Sequence, residues 1–255
     1  MKTLIYDIEI MHDYGEDYQR RMYSGYVDTS VRMSADISRI SHFGYKWLGE
    51  GRALCKDLTD FPSFHKNGEW VENEKDLLTF ISDLFRSADH LVAHYGDKFD
   101  RRYVNAKLLK HNLPPIPPAP GLKQTDTCKI SREHLKLSSN RLDNISRFLG
   151  VPMKRTKNWP ADWLKMTSGD KAAFERVKTY CIGDIISLEQ VFLRLRPFCK
   201  GLPNHNLVNE EFGCPACGSG NYMKYGTWFT LQTVRQRYRC KDCSRVFPGE
   251  IKSGK

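Results

Sequence analysis

The sequence lacks any apolar run close to the roughly 18 residues that a membrane-spanning helix needs. Because Met1-Lys2-Thr3 runs directly into the first predicted strand, we expect no signal peptide. We therefore expect a soluble, cytoplasmic, unprocessed protein without a membrane span. Acidic residues are fewer than basic ones, 30 against 40, which gives a formal net charge of +10. This excess favours a polyanionic partner, nucleic acid before a membrane surface.

The 255 residues can form one substantial core and a small appendage, and hydrophobic residues at 40% indicate a packed globule. Composition changes near residues 199–213, where glycine, proline and asparagine are frequent. We predict a domain over residues 1–198, a linker over 199–213 and a small domain over 214–255.

Two carboxylates interrupt the apolar stretch Leu4–Ile10, which is typical of a buried strand. Asp7 and Glu9 are two residues apart, so their side chains share one face of that strand. A divalent cation would neutralise such a pair. The alternative is that both acids lie on the wet face of an edge strand.

The remaining pattern predicts an α/β domain. Phe43–Leu58 favours an antiparallel meander, Glu74–Ala88 an amphipathic helix, and His90–His94 another strand. A long helical pattern runs from Gly169 to Pro197, in which we expect Gly183 to loosen the helix. The polar stretch of residues 11–35 is interpreted as an irregular insertion near the cleft.

Two further carboxylates stand at element boundaries: Asp100 opens a helix after a strand, and Asp184 lies one turn after Tyr180 on the long helix. D-I-E at 7–9, H-Y-G-D-K-F-D at 94–100 and Y-C-I-G-D at 180–184 resemble the three motifs of the DEDD 3′–5′ exonucleases. Tyrosine at position 180 resembles the DEDDy, or DnaQ-like, branch. With its cysteine-rich tail, the chain is similar to predicted bacteriophage exonucleases.

This resemblance implies a ribonuclease H-like mixed sheet flanked by helices, and two Mg²⁺ or Mn²⁺ ions. Asp7, Glu9 and Asp184 would hold the ion that lowers the pKa of an attacking water, while Asp7 and the scissile phosphate hold the second ion. Asp100 would bind through the metal shell, and Tyr180 would orient the water. The reaction implied is hydrolysis at a 3′ end of DNA or RNA, single-stranded DNA first, releasing nucleoside 5′-monophosphates. A replication or recombination protein is a further candidate partner.

One residue departs from the family pattern, because Tyr95 stands where asparagine is usual. This substitution bears on substrate preference more than on hydrolysis. The F-D pair selects Asp100 over Asp97, and we expect Asp126 to cap a neighbouring segment. His94 is interpreted mainly as a structural hydrogen bonder, although with Tyr95 it is also a candidate contact for nucleic acid.

Residues 154–165 interleave basic side chains with indoles, a pattern suited to a single strand. The candidate contacts are Lys154, Arg155, Lys157 and Trp159. The alternative is a packing loop with solvated charges.

The tail contains two C-x2-C pairs separated by 22 residues, Cys214 with Cys217 and Cys240 with Cys243. Four thiolates satisfy one tetrahedral Zn²⁺, so we predict a zinc ribbon with hairpin strands; paired disulfides are the alternative. From Cys214 onward, eight Lys or Arg residues face two Asp or Glu residues. Arg235, Arg237 and Arg239 are therefore candidate nucleic-acid contacts, and protein docking is the other interpretation.

Two other hypotheses compete with the exonuclease hypothesis. One is a catalytically idle module that binds nucleic acid or a protein partner through a nuclease fold. The other is a structure-specific endonuclease on the same fold.

Overall fold

The computed structural model describes residues 1–12, 38–66, 69–70, 74–118, 120–151, 160–209 and 212–251. Most of the predicted insertion at 11–35 lies outside these residues. So do four candidate contacts for nucleic acid, namely Lys154, Arg155, Lys157 and Trp159.

A five-stranded mixed sheet forms the larger part of the molecule. Its strands are β1 (Thr3–His12), β2 (Ser38–Trp47), β3 (Leu54–Asp57), β6 (His90–Ala93) and β7 (Lys123–Asp126), in the order β3-β2-β1-β6-β7. The first three strands pair antiparallel, while β1, β6 and β7 are parallel. The predicted meander and the mixed sheet are both confirmed. Two short strands, β4 (His65–Lys66) and β5 (Glu69–Trp70), form a separate hairpin.

Helices cover both faces of the sheet. They are α1 (Lys75–Arg86), α2 (Asp100–Lys110), α3 (Thr127–His134), α4 (Leu142–Phe148), α5 (Pro160–Thr167) and α6 (Lys171–Leu195). The alternation of β1 divides the core, because Leu4 and Tyr6 pack with α1 and α2 whereas Ile5 packs with α6. Asp7 and Glu9 have the same parity as Ile5, so they face the side of the sheet that α6 covers.

The long helix α6 is continuous, so the expectation that Gly183 loosens it is wrong. Asp170 caps its first turn by accepting hydrogen bonds from the backbone amides of Ala172 at 2.8 Å and Ala173 at 3.2 Å. Gly183 is buried, and its carbonyl accepts a hydrogen bond from the Ser187 hydroxyl at 3.0 Å. Packing against the sheet outweighs the roughly 1 kcal/mol that glycine costs inside a helix.

The cysteine-rich tail folds into a three-stranded sheet of β8 (Tyr222–Phe229), β9 (Val234–Cys240) and β10 (Val246–Ile251). A short helix α7 (Asn206–Asn209) lies in the segment before it. Arg245 joins the tail to the larger domain, because its guanidinium donates to the carbonyls of Pro197 at 2.6 Å and Cys199 at 2.9 Å. Leu202 packs on both cores.

None of the helices in the described part of the chain is long and apolar enough to cross a membrane.

Candidate metal-binding carboxylate site

The four predicted carboxylates come from three elements and approach one another beside β1. Asp7 and Glu9 are half-buried on β1, and the register places Asp7 opposite Gly44 and Glu9 opposite His42 on β2. Asp100 is 2% exposed at the start of α2, and its Oδ1 accepts a hydrogen bond from the backbone amide of Ile8 at 3.2 Å. That bond fixes the Asp100 carboxyl against the strand segment between the two other acids.

The fourth acid reaches the cluster from the helix that covers this face. Asp184 lies one turn after Tyr180 on α6, which brings the Tyr180 hydroxyl beside its carboxylate. Burial and the negative charge of Asp184 raise the pKa of Tyr180 far above its usual value. The phenol therefore remains a hydrogen-bond donor at all ordinary pH values.

The charges of Asp100 and Asp184 raise the pKa values of both Asp7 and Glu9, so these two acids lie within electrostatic reach of the carboxylates on β1. Burial, followed by the charges of Asp100, Glu9 and Asp184, raises the pKa of Asp7 well above its normal value. Burial and the charges of Asp184 and Asp100 raise the pKa of Glu9 to about 8. Burial raises the pKa of Asp100 to about 7 and that of Asp184 to about 6. Bound cations would remove this repulsion, so the donor set fits hard divalent metal ions.

The neighbouring acids that sequence reasoning set aside have other partners. Asp97 accepts a hydrogen bond from the Gln124 amide at 2.7 Å. Asp126 caps α3 by accepting from the backbone amides of Cys128 at 3.0 Å and Lys129 at 3.2 Å, and it also accepts from Tyr95 N at 2.9 Å. The predicted capping role of Asp126 is confirmed.

His94 and Tyr95 follow β6 and differ in their surroundings. Both ring nitrogens of His94 are engaged inside the protein, Nδ1 with Thr127 Oγ1 at 2.9 Å and Nε2 with the Asn140 carbonyl at 2.9 Å. This geometry supports its structural role. Tyr95 is 40% exposed and left-handed, with φ of 66°, a conformation that asparagine adopts more readily than tyrosine. Its ring faces Arg132 at 5.3 Å, at the rim of a cavity of about 350 Å³.

Sequence reasoning did not single out Cys181. Its Sγ and carboxylate oxygens of Asp7 and Glu9 all lie within 4.8 Å of one another. The signal available in the sequence was its position inside Y-C-I-G-D, three residues before Asp184.

The four tail cysteines meet in a second cluster. Their sulfur atoms lie within 4.8 Å of one another, with Cys214–Cys243 at 3.5 Å and Cys217–Cys240 at 3.7 Å. These separations match the roughly 3.8 Å expected between thiolates around a tetrahedral Zn²⁺, and they are too long for disulfide bonds. The hydrogen bond with Cys243 lowers the pKa of Cys214 to about 5. The arrangement can hold one Zn²⁺ and has the form of a zinc ribbon.

Comparison with known proteins places this fold in a family. A family model of the RNase H superfamily matches residues 54–196, more than half of the chain, and the protein belongs to that superfamily. The matched region contains Asp100, Tyr180 and Asp184 but begins after β1. No curated protein matches the sequence.

A similar solved structure is the family B DNA polymerase from the hyperthermophilic archaeon Pyrobaculum calidifontis. The similarity has a TM-score of 0.53 at 17% identity, and it covers 77% of this chain and 25% of the polymerase. The chain thus spans about a quarter of the polymerase's length, and at this identity the likeness concerns the fold.

The raised carboxyl pKa values predict that metal-depleted protein loses stability as the pH rises from about 6.5 to 8.5. A carboxyl whose pKa is higher in the folded state stabilises the fold at low pH, and this stabilisation falls as the pH rises until it reaches the folded-state value, about 7 for Asp100 and about 8 for Glu9. The free energy of unfolding should decline by about 1.4 kcal/mol per pH unit for each carboxyl that is still protonated in the folded state and ionised in the unfolded state. Buried His42 and His90, with pKa values lowered to about 4, oppose this trend only below pH 6.5.

Urea unfolding across this pH range measures the effect, in metal-depleted buffer without chelator so that the tail keeps its zinc. Mg²⁺ should flatten the decline because it neutralises the acids. A pH-independent free energy of unfolding without Mg²⁺ would contradict the assignment of a charged cluster.

Proposed function

We propose that the protein is a metal-dependent 3′–5′ exonuclease of the DEDDy type that hydrolyses terminal phosphodiesters of nucleic acid. The observation that carries this proposal is that the charges of Asp100 and Asp184 act on both Asp7 and Glu9, while the Tyr180 hydroxyl lies beside Asp184. A strand with two carboxylates and a helix with a tyrosine–aspartate pair provide the oxygen ligands and the hydroxyl donor that phosphodiester hydrolysis with metal ions needs.

The residues of the cluster have distinct roles in this proposal. Asp7, Glu9 and Asp184 would hold one Mg²⁺ or Mn²⁺, and Asp7 would contact a second together with the substrate phosphate. When bound, the ions lower the pKa of the attacking water and neutralise charge on the phosphate and the leaving 3′ oxygen. Asp100, held by the Ile8 amide, supports the ligands through solvent. Tyr180 positions the water through its hydroxyl and does not act as a base, because its pKa is raised.

Single-stranded DNA is the proposed substrate, with RNA as the second choice. Tyr95 and the cavity beside Arg132 supply an exposed aromatic ring and positive charge close to the Asp100 helix. Residues 1–198 would form the nuclease, residues 199–213 the linker and residues 214–255 the zinc ribbon. We also propose that the chain is related to the bacteriophage exonucleases that its sequence resembles.

Oligonucleotides labelled at either end test the function directly, with DNA and RNA each incubated with Mg²⁺ or Mn²⁺. A 3′–5′ exonuclease releases the 3′ label at once as mononucleotide and shortens the 5′-labelled strand to a ladder. A single internal cut would instead support the endonuclease. Binding without any cleavage would support the idle binding module.

The ribbon is proposed to bind single-stranded nucleic acid through residues of β8 and β9. Trp228 is 41% exposed and Phe229 is 72% exposed, and the guanidinium groups of Arg237 and Arg239 lie 5.2 Å and 5.6 Å from the Tyr225 ring. Exposed rings provide stacking surfaces for bases, and arginines provide charge for phosphates.

Replacing Arg235, Arg237 and Arg239 together by glutamine should weaken binding of a long single strand at least tenfold at low salt. The slope of log affinity against log salt should fall by about 2, since each single-strand phosphate contact contributes about 0.7. Fluorescence anisotropy at several salt concentrations measures both quantities. The matched triple lysine variant, which retains the charges, should keep most of the slope. Unchanged affinity and slope in the glutamine variant would favour a protein-docking ribbon.

A further inference from the structure

A thiol lies inside the carboxylate cluster, where hard-metal chemistry does not need one. Cys181 is 0% exposed on α6, and its sulfur lies within 4.8 Å of carboxylate oxygens of both Asp7 and Glu9. Sulfur is a poor ligand for Mg²⁺ and Mn²⁺, and the proposed hydrolysis gives it no role.

The register of the sheet leaves space for this sulfur beside β2. Asp7, Gly44 and Cys55 form one row across β1, β2 and β3, since Asp7 pairs with Gly44 and Gly44 pairs with Cys55. A Cβ atom at position 44 would lie 2.6 Å from Cys181 Sγ, so only glycine leaves room for it. The thiol therefore fills the gap in this row, beside Asp7 and Cys55.

We propose that Asp7, Glu9 and Cys181 form a binding site for a thiophilic divalent cation of the Zn²⁺ or Cd²⁺ class. One thiolate and two carboxylates supply three protein ligands and leave the fourth position of a tetrahedral ion open. Zn–S and Zn–O bonds of about 2.3 Å and 2.1 Å place sulfur and oxygen about 3.5 Å apart. The present separations are all within 4.8 Å, so small side-chain rotations bring the three ligand atoms around one ion.

Binding takes one proton from the Cys181 thiol and releases it to solvent, so the ion gains a thiolate ligand without any redox step. The site overlaps the position assigned above to a hard ion. Zn²⁺ binds mixed sulfur and oxygen donors more tightly than Mg²⁺ does, so it would compete at this position. The competition between Zn²⁺ and Mg²⁺ rests on the proposed function. The cation site of Asp7, Glu9 and Cys181 does not depend on that function.

Equilibrium dialysis with Zn²⁺ tests the site, using the full chain with its ribbon already loaded. Wild-type protein should take up one equivalent beyond the ribbon, and Cys181→Ser should bind that equivalent at least tenfold more weakly. Cys55→Ser is the matched control, since it removes the adjacent thiol and should keep the affinity. Cys181→Ala provides a second variant should serine disturb the fold, which circular dichroism checks. Equal affinity in wild type and the Cys181 variants, or no second equivalent, overturns the inference.

A second measurement separates the inference from the proposed function. Zn²⁺ should inhibit Mg²⁺-supported hydrolysis by the wild type, and Cys181→Ser should need at least tenfold more Zn²⁺ for the same inhibition. Equal inhibition of both proteins overturns the competition. Absence of hydrolysis in every protein, with Cys181-dependent Zn²⁺ uptake intact, rejects the exonuclease and supports the cation site.

Discussion

Replacing Asp7 with asparagine is expected to reduce metal-dependent hydrolysis by roughly a thousandfold or more, because this side chain is the one proposed to contact both ions. The same change should raise the melting temperature of metal-depleted protein at neutral pH. It removes a carboxyl whose ionisation is opposed by burial and by Asp100, Glu9 and Asp184. A loss of activity together with a gain in stability distinguishes a functional acid from a structural one.

Rates on a labelled oligonucleotide and melting in metal-depleted buffer measure the two effects. Asp97→Asn is the matched control, because it makes the same chemical change at an acid of the second motif whose carboxyl accepts a hydrogen bond from Gln124. It should retain activity within a few-fold. Wild-type hydrolysis by Asp7→Asn would remove the cluster from the mechanism.

Replacing Cys240 with serine is expected to unfold the zinc ribbon while the five-stranded sheet stays folded. The ribbon's own apolar core is small: in the described part of the tail, the buried residues of that core other than cysteines are Ala216 and Phe247. Metal binding must therefore supply most of its folding free energy, and structural Zn²⁺ in small domains contributes on the order of 10 kcal/mol.

Metal analysis and limited proteolysis test this expectation. The variant should lose one equivalent of zinc and become sensitive to cleavage within residues 214–251. Cys55→Ser, which lies outside the tail, should keep both its zinc content and its resistance. Full zinc content and full resistance in Cys240→Ser would exclude the four-cysteine site.

Local patterns in the sequence predicted those parts of the site that depend on local geometry. The shared face of Asp7 and Glu9 follows from the period of a strand, and the Tyr180–Asp184 contact follows from the turn of a helix. Local geometry did not predict Asp100, because its choice over Asp97 rested on the family motif. The hydrogen bond from Ile8, which fixes it against β1, connects residues 92 positions apart.

The features that the sequence did not predict share a physical cause, because tertiary contacts override local sequence patterns in each of them. The helix α3 was not predicted, although Asp126 was correctly taken as a cap, because the octet from Thr127 to His134 is short and contains few apolar residues. Gly183 was taken as a weak point, yet packing keeps its helix intact. The place of Cys181 depends on the register of three strands at Gly44, which no window of the sequence contains.

The contact between Arg245 and the carbonyls beyond α6 fixes the distance between the carboxylate site and the point where the ribbon is attached. Asp184 and Leu195 are 11 residues apart on that helix, which corresponds to roughly 16 Å along its axis. The helix is thus a rigid spacer between the carboxylate site and the ribbon anchor. An oligonucleotide too short to bridge this span can occupy only one of the two, so ribbon substitutions should leave the turnover of the shortest substrates unchanged while slowing that of longer ones.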